Sequence, residues 1–231
     1  MEQIKLYQWR AIPGLESASP FCIKVHWALR YKQLSFEVIT PDDRDSVVAL
    51  NPRAKLPVLG YGDTTVADSS DIIRFIEARH PEPHLLPSDP ALRARALIFE
   101  DWGDESIYWH LVYERWQVPE QFEQYANVLF PGVPEQMKNQ FREGIIQYLH
   151  GQGFGRMTLE QHREKMCELL DALDAILVTP FLCGNELSIG DIGVAAEVAG
   201  LNQTLTPIAG AEVRKRKQVM RWLDRVLKAV A

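Results

Sequence analysis

Hydrophobic positions keep two rhythms in the first eighty residues. Ile4 and Leu6 lie on one face of a segment, residues 4–9, that reads as a strand. Residues 20–31 change to helical spacing, with Phe21, Val25, Ala28 and Leu29 on one side. Residues 35–39 return to a strand, apolar at Phe36 and Val38, and a short helix is predicted over 45–50. Residues 57–60 and 64–67 flank the turn "YGD" and predict a hairpin. Residues 69–79 form a helix with Ile72, Ile73, Phe75 and Ile76 turned inward. The order β-α-β-α-β-β-α predicts a small mixed sheet covered by helices.

The rhythm breaks at "HPEPHLLPSDP", four prolines in eleven residues. Proline removes donors and discourages helix in the residue before it, so this stretch predicts a linker. Beyond it no strand pattern recurs. Helices are predicted over 91–116, 134–149, 158–178, 188–200 and 213–230, which together read as a helical bundle. The chain therefore divides into residues 1–80, a linker 81–90, and an all-helical unit 91–231.

Composition narrows the classes. Hydrophobic residues at 46% and charged residues at 24% are the balance of a globular protein, and no run reaches the length of a membrane helix. A net charge of −6 gives no reason to expect a nucleic-acid partner. The run Arg214-Lys215-Arg216-Lys217 reads as solvated helix surface. The first residues lack the apolar core of a signal peptide, so a cytoplasmic location is expected. Cys22, Cys167 and Cys183 are too few and too widely spaced for a disulfide framework or a metal cluster, and no metal site is expected.

Two stretches carry candidate chemistry. In "SASPFCIKVHWAL" a serine precedes a proline at a predicted helix start. Ser19 reads as an N-cap, Pro20 as the first helical residue and Cys22 as a small buried residue. The same helix start carries free N–H groups and about half a positive charge, so a hydroxyl there also suits an anion. The preceding loop, residues 10–18, is longer than most strand-to-helix connections.

The second stretch is "NPRAKLPVLGYGDTTVADSSDII". Pro57 opens a strand, where either peptide isomer fits; a cis bond would turn the Leu56 backbone toward an extended ligand. Asp68 and Ser69 precede a helix and read as an acidic N-cap. As a site, Ser69 and the helix N–H groups would hold a carboxylate, Asp68 an ammonium, and Lys55 a second carboxylate.

Taken together, "SPFCIKVHWALRYKQLSFEV", "NPRAKLPVL", "ADSSDIIRFIE" and "LSIGDIGVAAEV" resemble the glutathione transferase family over nearly the whole chain. The resemblance implies a thioredoxin-like α/β N-terminal domain and an all-α C-terminal bundle. "GQGFGRMTLEQHREKM" with the "SPFC" start looks most like a subgroup that includes metaxin-like and failed-axon-connections-like proteins.

By resemblance, Ser19 donates a hydrogen bond to the thiolate of glutathione, the co-substrate. Leu56 and Pro57 pair with its cysteinyl backbone, Lys55 holds its glycyl carboxylate, and Asp68 and Ser69 hold its γ-glutamyl end. Asp68 stands where glutamate is commoner, one methylene shorter. "SPFC" resembles a "CPFC" redox motif whose first cysteine has become serine, which argues against a two-cysteine mechanism. Tyr7, inside the first strand, is the alternative hydroxyl.

The aromatic residues Trp102, Tyr108, Trp109 and Tyr113 lie on the long helix. Trp9, Trp109 and Tyr113 are the candidate lining of a pocket for a small electrophile. A homodimer is expected from the family. Two other functions stay open: a non-catalytic interaction protein of the same fold, and a thiol reductase using Cys22. The spaced glycines Gly151, Gly153 and Gly155 come after a helix and read as a helix-to-helix turn, with Gly151 as a C-cap. Ser188 and Asp191 form an S-x-x-D capping box with a structural role.

Overall fold

A computed structural model describes residues 2–231. The N-terminal half contains β1 (Ile4–Tyr7), α1 (Pro20–Tyr31), β2 (Glu37–Ile39), α2 (Arg44–Leu50), β3 (Val58–Tyr61), β4 (Thr64–Ala67) and α3 (Ser69–Arg79). The sheet runs β2-β1-β3-β4, with β1 and β2 parallel and the other pairs antiparallel. This is the small mixed sheet expected from the alternating rhythms, in the thioredoxin-like arrangement that the resemblance implies.

Register decides which loops meet. Tyr7 pairs with Ile39 on one side and Val58 on the other, and Val58 pairs with Ala67. The end of β1, the start of β3 and the end of β4 therefore lie at one edge of the sheet. The loops leaving Tyr7 and Ala67 and the loop entering Val58 converge there.

The helical half contains α4 (Pro90–Trp102), α5 (Tyr108–Val112), α6 (Pro119–Leu129), α7 (Glu135–Gln152), α8 (Leu159–Ile176), α9 (Ile189–Leu201), α10 (Pro207–Lys215) and α11 (Lys217–Ala229). α4 and α5 belong to one rod, residues 90–117, which widens into π turns at Gly103–Ile107 and Tyr113–Gln117. The hydrophobic pattern did not reveal α6 and merged α10 with α11. Arg216 is extended between those two helices and ties Asp171 at 2.9 Å to Glu212 at 2.8 Å, so the basic run is not one solvated helical face.

The core is continuous across both halves. α9 is buried along its whole length and packs against α4, α1, α5, α10 and α11. Glycine makes the α4–α9 approach: a Cβ on Gly190 would sit 2.8 Å from the Ala96 carbonyl oxygen. Ser188 and Asp191 cap α9 reciprocally, and the buried Asp191 carboxylate also accepts from Trp222 at 2.8 Å and from the Leu182 N–H at 2.7 Å. At the end of α7 it is Gly153, with φ +92°, that caps; Gly151 lies within the helix.

The proline-rich stretch after α3 has neither helix nor strand, yet it is held at both ends. Lys32 Nζ donates to the carbonyls of His80 at 2.6 Å and Pro83 at 2.8 Å, and Ile189 N–H donates to the Leu85 carbonyl. No helix among the described residues is long and apolar enough to cross a membrane.

Candidate active site

The β1–α1 loop is bonded almost residue by residue. Ile12 and Leu15 bridge across the Pro13-Gly14 turn, where Gly14 takes φ +79°. Ser17 Oγ donates to the Trp9 carbonyl at 2.8 Å and accepts from the Ser19 N–H at 3.2 Å. Ala18 N–H donates to the Arg10 carbonyl at 2.8 Å. These bonds deliver Ser19 to the start of α1 in an extended conformation, φ −103° and ψ 124°.

Ser19 occupies the N-cap position, but its hydroxyl makes no capping hydrogen bond. The first backbone bond of the helix runs from Ile23 N–H to the Ser19 carbonyl, so the N–H groups of Phe21 and Cys22 precede the ladder. A half-buried hydroxyl and two helix N–H groups thus share one place. Burial raises the fully buried Cys22 thiol to about 11, against contacts from the Trp9 backbone, Ser19 and Ser17 that pull it down. That removes Cys22 from thiolate chemistry near neutrality.

Leu56 and Pro57 lie just before β3, at the same edge. Their peptide bond is cis. The Leu56 side chain packs into a small core with Cys22, Val47 and Val58, and Trp9 and Tyr7 lean on it. The main-chain N–H and C=O of Leu56 enter no hydrogen bond among the described residues. Asn51 braces the approach, its Nδ2 donating to the Lys55 carbonyl at 2.9 Å. Lys55 is exposed, and its ammonium lies 5.6 Å from the ring centre of Tyr148 on α7.

Asp68 and Ser69 close the same edge. Asp68 takes φ +80°, a region where a non-glycine residue is strained. Its Oδ1 caps α3, accepting from Ser70 N–H at 3.0 Å and Asp71 N–H at 3.3 Å. The second carboxylate oxygen has no partner among the described residues, and the Ser69 side chain is buried at the first helical position.

The aromatic candidates separate. Trp9 sits at this edge, partly buried between the two cores. Trp109 is partly buried, and its indole N–H has no partner among the described residues. Tyr113 lies inside the helical half, stacked on His162 at 3.9 Å with its hydroxyl donating to the Met157 carbonyl. Tyr108 is the helical-rod aromatic that meets α1, with its ring 4.7 Å from that of Phe21.

Two charged residues not anticipated from the pattern join the halves here. Buried Lys24 on α1 donates to Ser70 Oγ at 3.2 Å, Glu100 Oε1 at 2.7 Å and Asp104 Oδ2 at 2.5 Å. Burial holds the Asp104 carboxyl up, to about 6, against the pull of Lys24. Buried Arg115 donates to the Ala18 carbonyl at 2.8 Å. Their only sequence signal is charge inside a mostly apolar and aromatic run: Lys24 in "CIKVHW", and Arg115 beside Glu114 in "VYERW".

Residues 17–84 match the family described as "Glutathione S-transferase, N-terminal domain", and residues 137–229 match "Glutathione S-transferase, C-terminal domain". The chain belongs to the glutathione S-transferase family. Among its relatives, the isoprene-epoxide–glutathione S-transferase of Rhodococcus sp. (strain AD45) is 27% identical across 97% of this chain and 98% of the relative. Protein LigF of Sphingobium sp. is 26% identical across 96% of this chain and 89% of that protein. The crystal structure of the β-etherase LigF superposes with a TM-score of 0.71 over 97% of this chain and 94% of the LigF chain. A glutathione S-transferase III in its apo form superposes at 0.68, with 22% identity over 99% of this chain and 95% of that one.

Proposed function

We propose that this chain binds glutathione along the Leu56–Pro57 edge and transfers its sulfur to a small electrophile. One observation carries the reading. A serine hydroxyl that caps nothing at a helix start, and a main-chain N–H and C=O with no partner among the described residues, lie at the same edge of the sheet. An extended peptide pairs with Leu56, its cysteine sulfur rests at Ser19, its γ-glutamyl end meets Asp68 and Ser69, and its glycyl carboxylate meets Lys55.

The chemical task is to keep a thiol ionised. A free thiol has a pKa near ~8.5, and lowering it by about two units takes about 2.7 kcal/mol. A charge-assisted hydrogen bond from Ser19 contributes about 1.5–3 kcal/mol. The α1 start adds about 0.3–1 kcal/mol. The two together span the requirement without exceeding it by much.

Two relatives are named for an epoxide and an ether, both of which hold carbon bonded to oxygen. That favours an electrophile of this kind here. The thiolate forms a carbon–sulfur bond, the carbon–oxygen bond breaks, and the oxygen leaves with the electron pair and takes a proton from solvent. Trp9 and Trp109 stand as lining for the electrophile.

Calorimetric titration with glutathione tests the reading. Saturable binding supports it, and its absence would leave a glutathione-transferase-fold interaction protein. Consumption of glutathione by an epoxide or an aryl ether then identifies the electrophile. The same reading includes a cytoplasmic homodimer, which sedimentation and cell fractionation check.

A further inference from the structure

Ser19 is positioned by bonds on both faces of the peptide that precedes it. The N–H side of the Ala18–Ser19 peptide is held by Ser17 Oγ at 3.2 Å. The carbonyl side is held from the helical half, by Arg115 Nη1 at 2.8 Å and by the Tyr125 hydroxyl at 3.3 Å. Arg115 is itself fixed over the Tyr125 ring, 4.7 Å from its centre, and lies on the second π turn of the 90–117 rod. A Cβ on Gly200 of α9 would come within 3.4 Å of its guanidinium, so the space around it is closed.

This guanidinium is buried, 3% exposed, and enters no ion pair among the described residues. Its Nε has no partner among them either. Two buried acids belong to the same interior: Glu114, which is taken up by Gln121 and Arg163, and Glu197 on α9, which feels the charge of Arg115, has an unpartnered Oε2, and is held well above the usual range by burial. Beside it lie the Tyr125 hydroxyl at 3.4 Å and the Tyr108 hydroxyl, which feels its charge. A buried cation without a paired counter-ion is costly, and no carboxylate among the described residues forms an ion pair with it.

We propose that Arg115 is a positioning residue for the thiolate site, fixing the Ala18–Ser19 peptide from the helical half and supplying the positive charge that a thiolate at Ser19 balances. The proposal rests on the reading that glutathione binds at Ser19. The bound thiolate is then the missing anion, seen by Arg115 across one peptide and one hydroxyl. At an effective dielectric of about 20, a unit charge about 10 Å away lowers an acid's pKa by about one unit. That is the margin the hydroxyl and the helix start leave thin. The arrangement also makes the site depend on contact between the two halves of the chain.

The test is a pH titration of the ultraviolet thiolate absorption of glutathione bound to the full chain. It compares the wild type with Arg115→Met, Arg115→Lys and Tyr125→Phe. In Arg115→Met the bound thiol pKa rises by about one unit, about a tenfold loss of thiolate at lower pH. Arg115→Lys keeps the charge and restores more than half of that shift. Tyr125→Phe, which removes one donor to the Ala18 carbonyl, raises the pKa by a few tenths of a unit. Measured at pH ~6, below the bound pKa, glutathione affinity changes by less than about threefold in all three. A folded Arg115→Met with an unmoved thiol pKa overturns the proposal. If that variant does not fold, an unmoved pKa in Tyr125→Phe overturns it instead. Failure of the wild type to bind glutathione is a separate result, visible before any variant is made, and overturns the underlying reading as well.

Discussion

Two helices begin at the same edge of the sheet and end up with opposite chemistry. α3 starts on Asp68, whose carboxylate caps Ser70 and Asp71, and an acid occupies its first turn. α1 starts on Ser19, whose hydroxyl caps nothing, and no acid occupies its first turn. One helix start is satisfied from within the chain. The other leaves its first N–H groups and its dipole uncapped, with a hydroxyl set against the buried Cys22 thiol. A helix start alone says little about function; what distinguishes α1 is that its cap residue is held rigidly while its cap bond is not made.

Ser19→Ala tests that contrast with the largest expected effect. The loss of a charge-assisted hydrogen bond of about 1.5–3 kcal/mol lowers kcat/KM for glutathione transfer by about 10–100-fold. The melting temperature moves by no more than about a degree, because no cap is lost. A large drop in stability with unchanged turnover would make Ser19 an ordinary cap and reverse the comparison.

Unpartnered polar groups elsewhere sharpen it. His110 and His162 are buried in the helical half, and none of their four ring nitrogens makes a hydrogen bond among the described residues. They pack among Tyr113, Phe154 and Met166, with the buried Glu114 carboxylate 3.5 Å from His162 Nδ1 and the charges of Arg163 and Lys165 acting on the pair. Burial pushes His110 down to about 4 and His162 down to about 3. The folded state therefore keeps both neutral, while the unfolded chain takes up protons below about 6.5. Stability is complete above that pH and falls progressively as the pH drops toward 4 and then 3. By about pH 5 the loss is on the order of 2 kcal/mol per histidine. Urea unfolding at neutral and acid pH measures it, and His162→Leu lowers the slope. An unchanged slope in that variant would show that other groups drive the acid loss.

The edge was more legible in the sequence than the helical half, for physical reasons. Ser19, Leu56–Pro57 and Asp68 stand at changes of period, where a strand ends or a helix begins, and such boundaries are marked by local residue types. Residues facing a pocket from the long rod were not legible. Each π turn adds a residue to a turn and rotates everything beyond it, so spacing counted from Trp102 does not carry to Tyr113. Tyr113 consequently lies against His162 in the interior, and Tyr108 meets α1. Arg115 escaped because a charge among aromatics reads as surface until the partner fold closes over it. α6 was missed although Pro119 opens it and Phe122, Tyr125, Ala126 and Leu129 keep helical spacing; the aromatic run before it masks the break.

Asp68→Ala tests the other side of the contrast with a smaller effect. It removes a cap made by two N–H bonds and costs about 1 kcal/mol of stability. It also removes the free carboxylate oxygen, so glutathione affinity falls by about three- to tenfold with kcat little changed. Denaturant midpoints and calorimetry separate the two. Lost stability with unchanged affinity would confine Asp68 to capping.

Cys22→Ala has the smallest expected effect on activity, and it isolates the chemistry of the α1 start from its geometry. The thiol lies one turn into the helix, fully buried and raised to about 11, and the Ser19 hydroxyl lies against it. Truncating it leaves a cavity beside Leu56 and Val58 and costs about 1 kcal/mol. If sulfur chemistry belongs to the bound tripeptide alone, kcat/KM stays within about twofold of the wild type. Glutathione-dependent reduction of a disulfide substrate that disappears in Cys22→Ala would show instead that the buried thiol becomes accessible, and would move the reactive sulfur from the ligand to the protein.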